Sequence, residues 1–246
     1  MKLRGWEQKY REILREFDFD RKDDTHAAQL LNLLVRTGFS LKKLEREIKN
    51  KTVFVIGAGP SLSSSISYIK KFKKATKIVA DGATRALIEN GIRPDIVVTD
   101  LDGNLEYLKK ASKMKSIMVV HAHGDNIGML PIASLFANCI GTTEGRPFGK
   151  IKNFGGFTDG DRCVFLARHF GAKRIIMFGM DFGNRVGTYS KEGRYNKAVK
   201  LQKLRKARSL LEWLASKNGH KFYTTSEYLE GFQKIGLGDL PGLVRE

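Results

Sequence analysis

Short apolar runs that alternate with helical stretches constrain this fold more than any other feature of the sequence. Beyond Thr52, runs rich in Val, Ile and Met continue without polar interruption, which is typical of strands buried on both faces of a parallel sheet. The segments between them carry the 3.6-residue apolar period of amphipathic helices. The alternation predicts a doubly wound, mostly parallel α/β sheet. The predicted strands are 53–57, 77–81, 95–100, 116–123, 138–141, 174–181 and 221–225.

The first 50 residues have a different pattern, because their apolar positions recur at helical spacing throughout. Ser40 is placed to cap a third helix. We therefore predict an N-terminal helical segment, 1–50, packed on an α/β catalytic domain, 51–246, as one structural unit. Another long amphipathic helix is predicted over 191–218. Apolar positions on the N-terminal helices are compatible with a homodimer.

Charge and hydropathy narrow the classes of partner. Of the 246 residues, 44 are Lys or Arg and 26 are Asp or Glu, so the formal net charge is +18. This favours a polyanionic partner, either nucleic acid or a phosphate-rich small molecule. We do not expect nucleic acid, because the sequence has no recognisable nucleic-acid motif and its basic stretches lie on helical segments, some interleaved with Glu. No run is long enough to cross a membrane, and the N-terminus has no apolar signal core, so we expect a cytoplasmic protein.

The two cysteines, Cys139 and Cys163, lie in apolar surroundings and have no metal-binding spacing. We predict that both are buried structural thiols.

Glycine and polar clusters follow nearly every predicted strand. In an open parallel sheet, the ligand crevice lies outside the carboxyl ends of the strands. The clusters should therefore meet at one edge of a Rossmann-like sheet and form a ligand site there.

A glycine loop follows the first predicted strand. Gly57 and Gly59 would let the backbone turn, and Ser61 begins a helix whose free N–H groups suit a phosphate. An ordinary strand-to-helix turn would explain the same residues. Asp81 closes the second strand, where an acid could hold ribose hydroxyls, so an oxidoreductase with NAD or a methyltransferase with S-adenosylmethionine stays open. Asp81 could also act only as a helix cap.

Asp100 and Asp102 are the candidate catalytic and metal-binding pair. In an extended chain, side chains at i and i+2 point the same way, so the two carboxylates could bracket Mg²⁺, which prefers oxygen ligands. A solvated turn is the alternative. The pair favours a metal-dependent reaction of a polyphosphate, since NAD binding gives no reason for it.

Two further stretches carry candidate ligand contacts. In HAHGDN, 121–126, the alternating histidines could contact substrate, bind a transition metal or serve structure only. In the glycine-rich stretch 142–162, basic side chains could neutralise phosphates, and Thr158 or Asp159 would cap the next helix. An ordinary capped loop is the alternative.

The blocks ADGATRAL, 80–87, and RPDIVVTDLDG, 93–103, resemble the core of thiamin pyrophosphokinases. Thr99 and Gly103 depart from that pattern, which has Gly and Ser there. Over 50–225 the chain is similar to the archaeal 6-hydroxymethyl-7,8-dihydropterin pyrophosphokinases, through these blocks together with GAGPSL, HAHGDN, GGFTDGDR and FGMDFG. A more distant similarity to a domain of bacterial flagellin-modification proteins means that the scaffold alone does not fix the substrate.

The resemblance implies transfer of the terminal diphosphate of ATP to a pterin hydroxymethyl group, with release of AMP, in the synthesis of methanopterin or folate-type cofactors. It implies that Asp100 and Asp102 bind Mg²⁺, with Asp81 beside them. A thiamin-type acceptor stays open. The remaining roles are our own inference. The predicted nucleotide or phosphate contacts are Gly57, Gly59, Ser61, Asp81, Thr84, Arg85, Arg146 and Lys152. The predicted pterin contacts are His121, His123, Asp125, Asn126, Thr158, Asp159 and Asp181.

Overall fold

The computed structural model describes residues 3–36, 40–190, 196–217 and 221–244. Its centre is one eight-stranded, wholly parallel sheet with the order β5-β4-β3-β2-β1-β6-β7-β8. The strands are β1 Thr52–Ile56, β2 Thr76–Ala80, β3 Ile96–Thr99, β4 Ile117–His121, β5 Cys139–Thr142, β6 Arg174–Phe178, β7 Lys221–Thr224 and β8 Gln233–Lys234. The predicted α/β class and the predicted strands are confirmed. The short β8 was not predicted, because two exposed polar residues carry no apolar pattern.

Helices cover both faces of the sheet, and alternate residues of a strand pack on opposite sides. Val53 and Val55 of β1 join one apolar cluster, while Phe54 and Ile56 join another. This two-sided burial explains why the strands have no polar alternation. The helices are α1 Trp6–Phe17, α2 Arg21–Leu34, α3 Leu41–Ile48, α4 Leu62–Lys71, α5 Asp81–Glu89, α6 Leu105–Lys113, α7 Asp159–His169, α8 Lys197–Ala215 and α9 Leu240–Val244.

The strand order reverses direction at β1. The chain adds β2 to β5 on one side of β1 and then crosses to place β6 on the other side. The loops after β1 and β6 therefore diverge at the carboxyl edge and leave a crevice between them. Ligands bind at such a switch point in doubly wound folds.

The N-terminal helices are confirmed and share a core with the sheet. Trp6, Tyr10 and Leu44 are buried in the same apolar cluster as Val53 and Ile175. The division at residue 50 stays a prediction, and so does the homodimer, for which the side of α2 offers an exposed apolar residue, Leu33.

The predicted cap of the third helix is confirmed, since Ser40 Oγ accepts a hydrogen bond of 3.2 Å from the Lys42 amide. Of the helix predicted over 191–218, the structure describes α8 only, and 191–195 and 218 lie outside the described residues. Across the four described ranges, no helix combines the length and apolarity needed to cross a membrane.

The two cysteines are buried and unpaired, as predicted. Burial raises the pKa of the Cys139 thiol to about 12 and that of Cys163 well above its ordinary value. Since the thiolate is the reactive form, we expect native protein at pH 8 to show almost no reaction with iodoacetamide, and denatured protein to react at both thiols. Fast modification of the native protein, followed by peptide mass mapping, would contradict the burial of these side chains.

Candidate active site

Four aspartates meet at the carboxyl edge of the sheet. Asp81 follows β2, Asp100 and Asp102 follow β3, and Asp159 is the first residue of α7. One oxygen from each lies within 4.8 Å of the others, and in the part of the chain that the structure describes these four residues form the group able to hold a metal ion. Mg²⁺ prefers oxygen ligands and is usually bound by one or two carboxylates together with water and substrate phosphates, which this group can supply in part. Asp159 was predicted as a substrate contact or cap and not as a member of this group.

The buried Asp81 carboxylate is the strongest sign that a cation belongs here. Its Oδ2 accepts hydrogen bonds from the Thr99 hydroxyl and from the Gly103 amide at 3.2 Å. Its Oδ1 is buried and has no hydrogen-bond partner. Burial and then the charges of Asp100 and Asp102 raise the pKa of Asp81 to about 7. A buried anionic oxygen without a donor is costly, and a bound cation would satisfy it.

Gly103 departs from the thiamin pyrophosphokinase pattern for a steric reason. A Cβ at this position would lie 1.9 Å from Asp81 Oδ1 and 2.5 Å from its Cγ. The turn after β3 therefore approaches Asp81 closely only because residue 103 has no side chain. A serine here would require Asp81 to move.

A tight turn brings Asp100 and Asp102 together. We predicted that an extended chain would align them, but β3 ends at Thr99 and Leu101 has a left-handed backbone with φ 70°. The Leu101 amide donates to Thr99 Oγ1 at 2.7 Å, which helps to hold the turn. A non-glycine residue rarely adopts this conformation, and such residues concentrate at functional sites. The prediction that the pair converges is correct, but its geometric reason was wrong.

His123 faces the acid group. Its Nδ1 accepts a hydrogen bond from the Asp125 amide at 3.3 Å, so in the neutral ring the proton is on Nε2, which lies 3.6 Å from Asp100 Oδ2. Burial opposes ionisation of Asp100, but His123 and the charge of Arg162 outweigh it and lower the pKa of Asp100. Asp125 contributes this amide, while its own side chain is 67% exposed.

His121 and Asn126 are turned inward. His121 Nδ1 lies 3.1 Å from Thr142 Oγ1, and burial holds the pKa of the ring well below its ordinary value. The Asn126 side chain donates to the carbonyls of Asp100 and His121, each at 2.7 Å, and so ties the ends of β3 and β4 together. Of the HAHGDN residues, His123 and Asn126 thus contact Asp100 of the acid group. The histidines do not form part of a metal-ligating group within the described ranges.

Arg162 compensates the buried Glu144 and the partly buried Asp159, and it was missed by sequence reasoning. It donates to Glu144 Oε1 at 2.6 Å and to Asp159 Oδ1 at 3.3 Å, and its side chain is 7% exposed. Burial raises the pKa of both Glu144 and Asp159, and the Arg162 charge opposes that shift. The spacing of Asp159 and Arg162, three residues apart at the start of a helix, was the available signal.

The glycine loop does not present the open phosphate cradle that we predicted. The Gly57 amide donates to the Phe178 carbonyl at 2.9 Å, and the Gly59 amide donates to the Gly179 carbonyl at 2.8 Å. These N–H groups are therefore committed to the loop after β6. A Cβ at Gly57 would lie 2.6 Å from the Gly179 carbonyl oxygen, so the glycine serves this close approach. Phosphate binding through these amides would require the β1–β6 contact to open.

Asp181 occupies the start of α4, where we expected a phosphate. Its Oδ2 accepts hydrogen bonds from the Ser61 amide at 3.0 Å and the Ser61 hydroxyl at 2.8 Å. A Cβ at Gly59 would lie 2.2 Å from this oxygen. The carboxylate already satisfies the helix N-terminus and would repel an anion there. The predicted pterin contact of Asp181 is untested, although the residue lines the adjoining cavity.

A cavity of about 150 Å³ lies at the β1–β6 switch point and reaches the acid group. Asp100, Asp102 and Asp159 form one part of its wall, with Thr158 beside them. Three cations, missed by sequence reasoning, line it as well: Arg185, Lys200 and Lys203. Acids that can hold a metal and cations from α8 thus share one cavity, which suits a polyphosphate.

The other predicted phosphate contacts lie outside this cavity. Thr84 is buried and directs its hydroxyl to the Ala80 carbonyl. Arg85 pairs with Glu89 at 2.8 Å, and Lys152 donates to the Gly149 carbonyl at 3.2 Å. Arg146 lines a separate cavity under α1 and α2. The structure does not bring these four residues together, and their roles stay predictions.

Metal binding should show in thermal unfolding. Folding raises the pKa of Asp81 from 3.8 to about 7. Between about pH 4 and 7, Asp81 is therefore protonated in the folded chain and ionised in the unfolded chain. Metal-free protein should therefore lose stability as pH rises through this window. Mg²⁺ should raise the unfolding temperature more at pH 8 than at pH 5, where protons compete for Asp81. An equal effect of Mg²⁺ at both pH values, measured against EDTA-treated protein, would contradict this.

Fold and site together define a doubly wound α/β protein with a carboxylate group, able to hold a metal ion, at the carboxyl edge of its sheet. The chain belongs to the 6-hydroxymethylpterin diphosphokinase MptE-like family, whose sequence model matches residues 27–187. This confirms the resemblance seen in the sequence.

Three curated archaeal relatives are each named 6-hydroxymethyl-7,8-dihydropterin pyrophosphokinase. The protein of Pyrococcus furiosus is 45% identical over 222 aligned positions, and the match covers 87% of this chain and 94% of the relative. The Methanothermobacter thermautotrophicus protein is 42% identical, and the match covers 89% of this chain and 97% of the relative. The Methanocaldococcus jannaschii protein is 39% identical, and the match covers 88% of this chain and 97% of the relative.

Among solved structures, the chain is similar to the MAf glycosyltransferase from Magnetospirillum magneticum AMB-1. The TM-score is 0.56 at 17% identity, and the match covers 83% of this chain and 40% of that one. At this identity the likeness shows the fold alone.

Proposed function

We propose that the chain catalyses Mg²⁺-dependent transfer of diphosphate from ATP to 6-hydroxymethyl-7,8-dihydropterin, giving the pterin diphosphate and AMP. The observation that carries this is the four-aspartate group with its unpartnered Asp81 oxygen, in a chain that aligns with almost the whole length of three relatives named for this reaction.

The phosphates of the nucleotide are assigned to the switch-point cavity, where they would lie between the acid group and the cations Arg185, Lys200 and Lys203. Lys203 Nζ also lies 5.8 Å from the centre of the Phe157 ring, which helps to hold the ammonium group at the cavity. A triphosphate is strongly anionic, so these side chains would offset charge that a single divalent cation leaves uncompensated.

In the transfer, the acceptor hydroxyl oxygen forms a bond to the β-phosphorus of ATP. The bond from that phosphorus to the bridging oxygen of the α-phosphate breaks, AMP leaves with the electron pair, and the hydroxyl proton is released. Mg²⁺, when held by Asp81, Asp100, Asp102 and Asp159, would supply Lewis-acid stabilisation of phosphate charge. The side chains themselves mainly position the reactants and neutralise charge, which is what phosphoryl transfer requires.

Product analysis tests this function. The protein is incubated with ATP and Mg²⁺, with either 6-hydroxymethyl-7,8-dihydropterin or thiamin, and AMP is resolved from ADP. We expect AMP with the pterin only, and none after EDTA. AMP formed with thiamin only would mean that thiamin is the acceptor. ADP would indicate an ordinary kinase or ATPase. Absence of turnover, with saturable binding of NAD or S-adenosylmethionine, would favour the alternative Rossmann-type enzymes.

A further inference from the structure

A second cavity, of about 290 Å³, lies near the loop after β5, and the strand order puts that loop and the switch point on opposite sides of the strands that carry Asp81 and Asp100. It is enclosed by α1, α2 and the loop after β5, and its wall includes Tyr10, Asp24, Arg146 and Phe148. Its volume is at the lower end of small-molecule sites, which are typically about 300–1,000 Å³. The three cations of the switch-point cavity, Arg185, Lys200 and Lys203, do not line it.

The strand order places the acid group between the two cavities. Along the carboxyl edge, β5 with its loop is followed by β4, then by β3 and β2 with their aspartates, and then by β1 and β6. Neighbouring strands are about 4.8 Å apart, so β5 and β3 are separated by roughly 10 Å. This is close to the long dimension of a bicyclic pterin with its hydroxymethyl arm.

A short chain of contacts connects the second cavity to the acid group. Asp24 Oδ1 accepts a hydrogen bond from the Gly124 amide at 3.0 Å. Gly124 directly follows His123, whose Nε2 lies 3.6 Å from Asp100 Oδ2. Asp24 is therefore linked to the acid group through Gly124 and His123.

The groups in the cavity match one half of a pterin. Its pyrimidinone ring presents a ring N–H and an amino group side by side, with a carbonyl oxygen next to them. Asp24 is 5% exposed and accepts hydrogen bonds from the Tyr10 hydroxyl at 2.6 Å and from the Gly124 amide. A carboxylate has about four acceptor sites, so Asp24 retains about two for a ligand. Arg146 can donate to a carbonyl oxygen, and the partly exposed Phe148 offers a ring face for stacking.

We propose that this cavity binds the pyrimidinone half of the pterin acceptor, with Asp24 accepting from its N–H groups, Arg146 donating to its carbonyl and Phe148 stacking on the ring. The inference rests on the proposed function for the identity of the acceptor. It reassigns Arg146, predicted as a phosphate contact, to the acceptor. It also explains why Arg146 lies apart from the cations of the switch-point cavity.

The test measures binding of 6-hydroxymethylpterin by its fluorescence, and of α,β-methylene ATP with Mg²⁺ by calorimetry. The variants are Arg146→Ala and Phe148→Ala, both at exposed positions where folding should be kept, and the matched control is the exposed Arg205→Ala. We expect each variant to weaken pterin binding tenfold or more, with nucleotide affinity within twofold of wild type. The Arg205→Ala control should change neither affinity.

Pterin affinity within twofold of wild type in both variants would overturn the inference, and so would a selective loss of nucleotide affinity. The same experiments distinguish failure of the proposed function from failure of the cavity assignment. If wild type binds the pterin through these residues but forms no AMP, the cavity assignment stands and the reaction fails. If wild type forms AMP and the pterin KM is unchanged in both variants, the reaction stands and the cavity assignment fails. A wild type that binds no pterin overturns both.

Discussion

Asp100→Asn should lower Mg²⁺-dependent turnover about 1,000-fold or more, a loss of roughly 4 kcal/mol of transition-state stabilisation. The substitution keeps the shape of the side chain but removes the charge of the acid that we place nearest His123 and in the metal-binding group. Because His123 and Arg162 lower the pKa of Asp100, its ionised form stabilises the folded chain, and the substitution should also lower the unfolding temperature of metal-free protein. Steady-state kinetics and thermal melts measure the two effects.

Asp18→Asn is the matched control for this change. Asp18 is exposed and has a left-handed backbone with φ 55°, a conformation that asparagine tolerates well. The turnover and the stability of the Asp18→Asn variant should be those of wild type. If Asp100→Asn retained a third or more of wild-type turnover, Asp100 would have no part in metal binding or catalysis.

Arg162→Met should lower the free energy of unfolding by about 3–5 kcal/mol, because it leaves the buried Glu144 and the partly buried Asp159 without their cation. Glu144 Oε1 and Asp159 Oδ1 would lose donors at 2.6 and 3.3 Å. Burial already raises the pKa of both acids, so each would be driven toward protonation. Urea unfolding at pH 7.5 measures the loss.

Two companion variants separate charge from shape at this position. Arg162→Lys keeps the charge but not the two-branched geometry, so it should be less destabilising than Arg162→Met. Adding Glu144→Gln to Arg162→Met should recover part of the stability, because one unpaired acid is removed and the two sites are coupled. A loss below about 1 kcal/mol in Arg162→Met would mean that the ion pairs contribute little.

The sheet could be predicted because its signal is local. The middle of each strand from β1 to β6 is an apolar run, because both faces of the sheet are buried. The pair Asp100 and Asp102 was also visible, since two acids at the carboxyl end of a predicted parallel strand lie where ligands bind in such a sheet. The left-handed turn at Leu101 was not visible, because leucine gives no sequence sign of that conformation.

The missed features all depend on contacts between distant parts of the chain. Asp159 looked like a helix cap, and its place among the acids follows from how α7 packs against β2 and β3. The amides of Gly57 and Gly59 looked free, but pairing of β1 with β6 commits them to carbonyls more than 100 positions away. The cations of α8 gave no signal beyond an ordinary basic helix, since only the fold brings Lys200 and Lys203 to the cavity.

A crystal structure with Mn²⁺ and α,β-methylene ATP would show whether the four aspartates bind a metal ion beside the nucleotide phosphates, because this analogue lacks the bridging oxygen of the bond that breaks. We expect an anomalous Mn²⁺ peak bound by oxygens of Asp100 and Asp102 and by at least one of Asp81 and Asp159. The nucleotide phosphates should lie between that ion and the cations Arg185, Lys200 and Lys203. Mn²⁺ bound elsewhere, or phosphates seated on the amides of Gly57 and Gly59, would contradict this expectation.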